Sequence, residues 1–226
     1  SLQKFRDNLE ALQKLDKLKK QFKPTSNLYA NTLIYQLNHQ LLVELHTGEL
    51  DKALQTIADS LKELEPIIEK VSKSNELQLY YDFAYTYFIA GDYKNCLRWL
   101  NRVVNDEDDT FRQDLKGFAN LMSLFVHHEL DNDRLLEYIQ RSMKEKLIKT
   151  KRYLPVERIV LKTIKSITKT ENPATRERAL KRALEKFRAI EKDPFEKEAL
   201  EYFDFISWVE AKLEKRSMKE IFLEKA

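Results

Sequence analysis

The side chains able to do chemistry in this chain are few, and their spacing brings none of them together. Cys96 is the only cysteine, so it can form neither an internal disulfide nor a cysteine-based metal cluster. It stands where a helix wants a small packing residue, and it is expected to be inert. The four histidines include no His-x-x-x-His pair, and the adjacent His127 and His128 point about 100° apart on a helix. No metal site is expected. The run Asp106-Glu107-Asp108-Asp109 is rich in oxygen ligands but lacks the central glycine and distal glutamate of a calcium loop. It reads as a solvated helix start. A Gly-rich phosphate loop, a nucleophile elbow and a His-Glu-x-x-His helix are all missing, and the carboxylates lie on charged helix faces where Glu–Lys pairs are the rule. The expectation is a protein that is not an enzyme and needs no cofactor.

Binding chemistry is better represented. Six aromatics fall between Tyr80 and Phe88, at 80, 81, 83, 85, 87 and 88. A helix that is apolar nearly all round is either buried on every side or exposes an adhesive face. A second signal is charge. The net charge is +3, but Gln140 to Ala226 carries +8 and Ser1 to Ile139 carries −5. Arg141, Lys144, Lys146, Lys149, Lys151, Arg152, Arg158, Lys162, Lys165 and Lys169 sit in the basic part. Such a surface attracts phosphates through counterion release, or is simply a solvated helix face. The scarcity of interleaved aromatics argues against a single-strand binder.

The elements that carry these residues are helices. With 3 glycines and 5 prolines in 226 residues, nearly all of the chain must lie in structure that excludes turn formers. Leu2, Phe5, Leu9, Leu12, Leu15, Leu18 and Phe22 mark one face of a first helix that ends before Pro24. Further helices follow to Thr47, from Glu49 to Pro66, from Ser74 to Ala90, after Gly91, from Thr110 to Leu130, and after Asp131-Asn132-Asp133. Pro155 to Lys169, Pro173 to Glu191 and Pro194 to Lys215 each begin with proline near a first helical position, where its missing N–H costs nothing. A tail containing Met218, Ile221, Phe222 and Leu223 caps the stack. No strand pattern exists. No stretch reaches the roughly 18 apolar residues of a membrane span, and the charged first twenty residues are not a signal peptide. Together with the lone cysteine this points to a cytoplasmic setting.

Two stretches repeat about 43 residues apart. Leu-His-Thr-Gly48-Glu-Leu50-Asp-Lys-Ala53 and Phe-Ile-Ala-Gly91-Asp-Tyr93-Lys-Asn-Cys96 each read as a helix end, a one-glycine turn and a new helix, the mark of a helical repeat. The segment Tyr80 to Val103 resembles a tetratricopeptide (TPR) repeat. Tyr80 matches the large residue opening its first helix, Phe83 and Ala84 the large-small pair, Gly91-Asp92-Tyr93 the turn, and Cys96, Leu100 and Val103 the packing positions of the second helix. Leu37, Gln40, Leu41, Glu44, Gly48, Leu50, Ala53, Ile57 and Ser60 take these places in an earlier copy, where Gln40 and Glu44 depart from the family pattern, and Asp131 marks a weaker third. The repeat here is 40 to 43 residues, longer than the usual 34.

The resemblance implies a right-handed superhelical array of antiparallel helix hairpins, a TPR-like α-solenoid of about ten helices without a sheet. It would form a single domain over 1–226, with an N-terminal helix at 1–25, three hairpins at 26–150 and divergent basic helices at 151–226. It also implies a concave groove binding a peptide or partner helix, lined by Tyr35, Asn38, Leu42 and His46 in the first copy. Gln78, Tyr81, Tyr85 and Phe88 would line it in the second, and Leu121, Phe125 and His128 in the third. The function expected is therefore a protein-interaction scaffold without membrane contact. The alternatives are a nucleic-acid or anionic-ligand binder working through the basic C-terminal helices, and the peptide-sensing part of a larger regulator.

Overall fold

A computed structural model describes residues 2–107, 111–150, 153–194 and 196–226, with side chains from Asp7 onward. Among the described residues there are eleven α-helices and no strand. They are α1 (Leu2–Lys19), α2 (Asn27–His46), α3 (Leu50–Leu64), α4 (Lys73–Ile89), α5 (Tyr93–Val104), α6 (Gln113–Glu129), α7 (Asp133–Lys149), α8 (Pro155–Thr168), α9 (Pro173–Glu191), α10 (Phe205–Glu214) and α11 (Met218–Lys225). Short 3-10 turns lie at Ile68–Lys70 and Lys197–Glu201. Asp108, Asp109, Thr110, Lys151, Arg152 and Phe195 fall outside the described residues. No described helix is long and apolar enough to cross a membrane.

Helix starts follow the local chemistry. Ser26, Ser72, Asp92, Asn172 and Asp204 each accept a hydrogen bond from the backbone N–H three residues on, at 3.1, 3.4, 3.1, 3.2 and 2.8 Å. Each bond satisfies an amide that the first turn leaves free. Pro155 and Pro173 open α8 and α9 as expected.

The helix expected from Pro194 to Lys215 is instead a 3-10 turn followed by α10. Asp204 caps a fresh start, offering the backbone a partner that competes with helix continuation. The break also lets Phe203 and Phe205 both turn inward to near-complete burial, whereas residues two apart on one helix diverge by about 200°.

The chain divides into two compact units, residues 1–115 and 116–225. In the first, α2 is the central helix, packing against α1, α3 and α4, while α4 pairs extensively with α5. Asn31 joins α2 to the start of α4: its Oδ1 accepts from Ser72 N at 3.1 Å and Asn75 Nδ2 at 2.9 Å. Trp99 anchors the α4/α5 core, edge-on to Phe83 at 5.0 Å and tilted on Tyr80 at 5.3 Å. The Arg102 guanidinium lies 4.7 Å from the Trp99 ring and 5.1 Å from Tyr80.

In the second unit α9 packs against α8 and α10, and α10 against α11. Phe125 is stacked on Phe203 at 5.1 Å and meets Trp208 edge-on at 4.6 Å, and Phe187 stacks on Phe205 at 5.2 Å. Glu129 accepts from Trp208 Nε1 at 2.7 Å and from Lys212 Nζ at 2.6 Å. One carboxylate thus satisfies the indole and the ammonium together.

Candidate protein-interaction surface

Three helix ends are closed by one turn geometry. Gly48 and Gly91 have φ of 72° and 77°, and Asp131 has 54°. In each, the amide of that residue bonds three residues back, and the next amide bonds five back: Glu49 N to Glu44 O at 2.8 Å, Asp92 N to Tyr87 O at 3.0 Å, Asn132 N to His127 O at 2.9 Å. This is the left-handed helix stop that glycine favours and that Asp can adopt.

Tyr35, Asn38, Leu42 and His46 share one face of α2 through their three- and four-residue spacing. Tyr35 is 48% exposed and Leu42 39%, and His46 is exposed as well. Leu28, seven residues before Tyr35, extends the stripe at 61% exposure. The opposite face supplies the core with Leu33, Leu37 and Leu41. Asn38 is half-buried at the edge of the stripe, and its Oδ1 is buried with no hydrogen-bond partner. The His46 ring is tied to its own helix, Nδ1 lying 2.7 Å from Leu42 O.

The second set behaves differently. Tyr81 is only 3% exposed and Phe88 is fully buried, edge-on to Tyr93 at 5.4 Å. These two are core residues and not an open lining. A helix apolar on every side is here buried on nearly every side: Leu77, Leu79, Tyr80, Phe83 and Ala84 are buried too. Gln78 and Tyr85 remain half-buried.

Gln78 Nε2 donates to Asp82 Oδ1 at 2.9 Å. Burial pushes the Asp82 carboxyl up to about 7, with the Gln78 bond and the Arg112 charge opposing. Tyr80 donates to Glu76 Oε1 at 2.8 Å, and burial together with that bond pushes its hydroxyl up to about 12.

In the third set Leu121 and Phe125 are likewise buried. Phe125 is covered by the chain's own Phe203, Phe205 and Trp208. His128 is half-buried, its ring 5.9 Å from that of Trp208 and its Nδ1 buried without a hydrogen-bond partner. Burial holds the His128 pKa below the ordinary histidine value, against the opposing charge of Glu129.

Two features go beyond the sequence expectations. Glu44 is almost wholly buried in the first unit, where its Oε1 accepts from Gln40 Nε2 at 3.0 Å and Thr56 Oγ1 at 3.1 Å while its Oε2 has no partner. The only signal was a polar Gln40–Glu44 pair on the packing side of α2. The second feature is a groove of about 840 Å³ bordered by α7 and α8. Its basic side chains were legible, but the apolar floor between them was not.

Cys96 is buried, and burial pushes its thiol well up, which suppresses the nucleophilic thiolate. Among the described residues no three His, Cys, Asp or Glu side chains gather closely enough to hold a metal ion. No protein-family model matches the chain, and no curated protein or solved structure matches it either.

Proposed function

We propose that this protein is a non-catalytic interaction module built from TPR-like helix hairpins, and that it binds a peptide or partner helix on the exposed face of α2. Tyr35, Leu42 and His46 form the centre of that face, Leu28 its end, and Asn38 its edge. The observation that carries the reading is the exposed Leu28–Tyr35–Leu42 stripe on a helix whose other faces are packed by α1, α3 and α4. The recurrence of one turn geometry at Gly48, Gly91 and Asp131 supports the hairpin-repeat part of the proposal.

Tyrosine and leucine at seven-residue spacing suit a helix or extended segment laid along α2. They offer rigid apolar area, and the tyrosine hydroxyl adds a hydrogen-bonding tip. The experiment is selection of binding peptides from a random displayed library, followed by affinity measurement on variants. Tyr35→Ala with Leu42→Ala is expected to weaken the selected peptides by about tenfold or more, and Tyr138→Ala in the second unit to leave them unchanged. Peptides that bind the double variant as well as the parent would refute the assignment.

A further inference from the structure

The groove bordered by α7 and α8 has a definite chemical character. Its walls carry Arg141 and Lys144 on α7, Lys162 and Lys165 on α8, and Lys169 at the C-cap of α8. All five are exposed and recur at three- and four-residue spacing, so each set projects from one side of its helix. Two carboxylates, Glu137 and Glu145, share the lining, which leaves an excess of positive charge. Between the walls the surface turns apolar: Leu161 is buried in the floor, Tyr153 is half-buried, and Ile148 is 55% exposed. Gln140 also lines the groove, and its Nε2 is buried with no hydrogen-bond partner.

We infer that this groove is a second docking site, and that its occupant is an acidic amphipathic segment of another protein, whose apolar side covers Ile148 and Leu161 while its carboxylates meet the lysines of both walls. Charge and apolarity together select this occupant. A phosphate backbone would satisfy the cations, but it would leave the apolar floor uncovered. An apolar helix without carboxylates would strand the ammonium groups at a partly desolvated rim, which costs free energy. An acidic amphipathic helix offers both, in the helix-in-groove manner. The inference is independent of the α2 surface, which lies in the other unit.

The test uses fluorescence anisotropy on the whole chain with three labelled probes. The first is a short peptide with leucines at helical spacing flanked by glutamates, the second the same composition scrambled, and the third a single-stranded oligouridine of similar charge. The amphipathic peptide is expected to bind at least about tenfold more tightly than the scrambled one, because only it can present an apolar face. Lys144→Glu with Lys165→Glu is expected to weaken it by about tenfold, and Ile148→Ser by about three- to tenfold. All three positions are exposed, so unchanged circular dichroism should accompany the loss. Equal binding of the scrambled peptide, tighter binding of oligouridine at the same salt, or indifference to these substitutions would overturn the inference. So would a concentration-dependent dimer that the same substitutions dissolve, since the occupant would then be a second copy.

Discussion

Gly91 and Asp131 occupy the same place in the same helix-terminating turn, one with a φ of 77° and the other of 54°, and each is followed by an amide bonded five residues back. The strain they bear differs. Glycine adopts this conformation freely, whereas an L side chain incurs about 1–2 kcal/mol. Asp131→Gly is therefore expected to raise stability by up to about 1 kcal/mol. Gly91→Ala should lower it by about 1–2 kcal/mol, through backbone strain alone, because an added Cβ at Gly91 would meet no atom within 4 Å. Urea unfolding of the two variants checks both signs.

The Asp82 carboxyl, pushed up to about 7 from an ordinary 3.8, gives a pH dependence with a definite sign. Between those values the folded state holds a proton that the unfolded state has released, so its contribution to stability falls as pH rises from about 4 to 7 and stays low above. Asp82→Asn keeps an oxygen for the Gln78 bond and removes the charge. It is expected to raise stability at pH 8 by about 1–3 kcal/mol and to bring little change near pH 4. Thermal melts of both proteins across that range provide the comparison.

His128 titrates with the opposite consequence. Its pKa is held below 6.5 by burial, so in the window just below 6.5 the unfolded state binds the proton more readily. The contribution of His128 is fully present above pH 6.5 and is lost as pH falls through the folded pKa. His39 and His127 are shifted in the same direction by burial. His128→Leu is expected to retain more of its pH 7 stability than the parent does on going to pH 5. Equal losses for the two proteins would contradict this assignment.

Glu129 satisfies Trp208 Nε1 and Lys212 Nζ at once, and its removal leaves two donors in the second unit without an acceptor. Glu129→Ala is expected to cost about 2–4 kcal/mol. Glu129→Gln, which keeps one carbonyl oxygen, should cost less. A loss within about 0.5 kcal/mol for the alanine variant would mean that solvent replaces the carboxylate.

The helices were legible in the sequence because their ends carry local chemistry: Pro173 opens α9 at the expected residue, and Gly48 and Gly91 end α2 and α4 with positive φ. The break before α10 was not, since Pro194 suggested one continuous helix and the Asp204 cap gains its advantage from the inward turn of both Phe203 and Phe205. The α2 part of the proposed surface was legible as a helix face. Tyr81 and Phe125 were misassigned to it because a helical face is shared by core and surface residues until the neighbouring aromatics are placed. Phe125 is covered by Phe203, Phe205 and Trp208, some eighty residues away in sequence, and no local pattern announces such a cover. The α7/α8 groove needed two helices brought side by side, which spacing within either one does not reveal.

The most direct measurement of the central claim is a methyl-resolved NMR titration of the intact chain with a library-selected peptide. The account predicts that the shifts concentrate on the Leu28 and Leu42 methyls and the Tyr35 ring, with Ile148 and Leu161 unmoved. Shifts centred on Ile148 and Leu161, or no residue-specific shift at saturating peptide, would contradict the assignment of the α2 face as the binding surface.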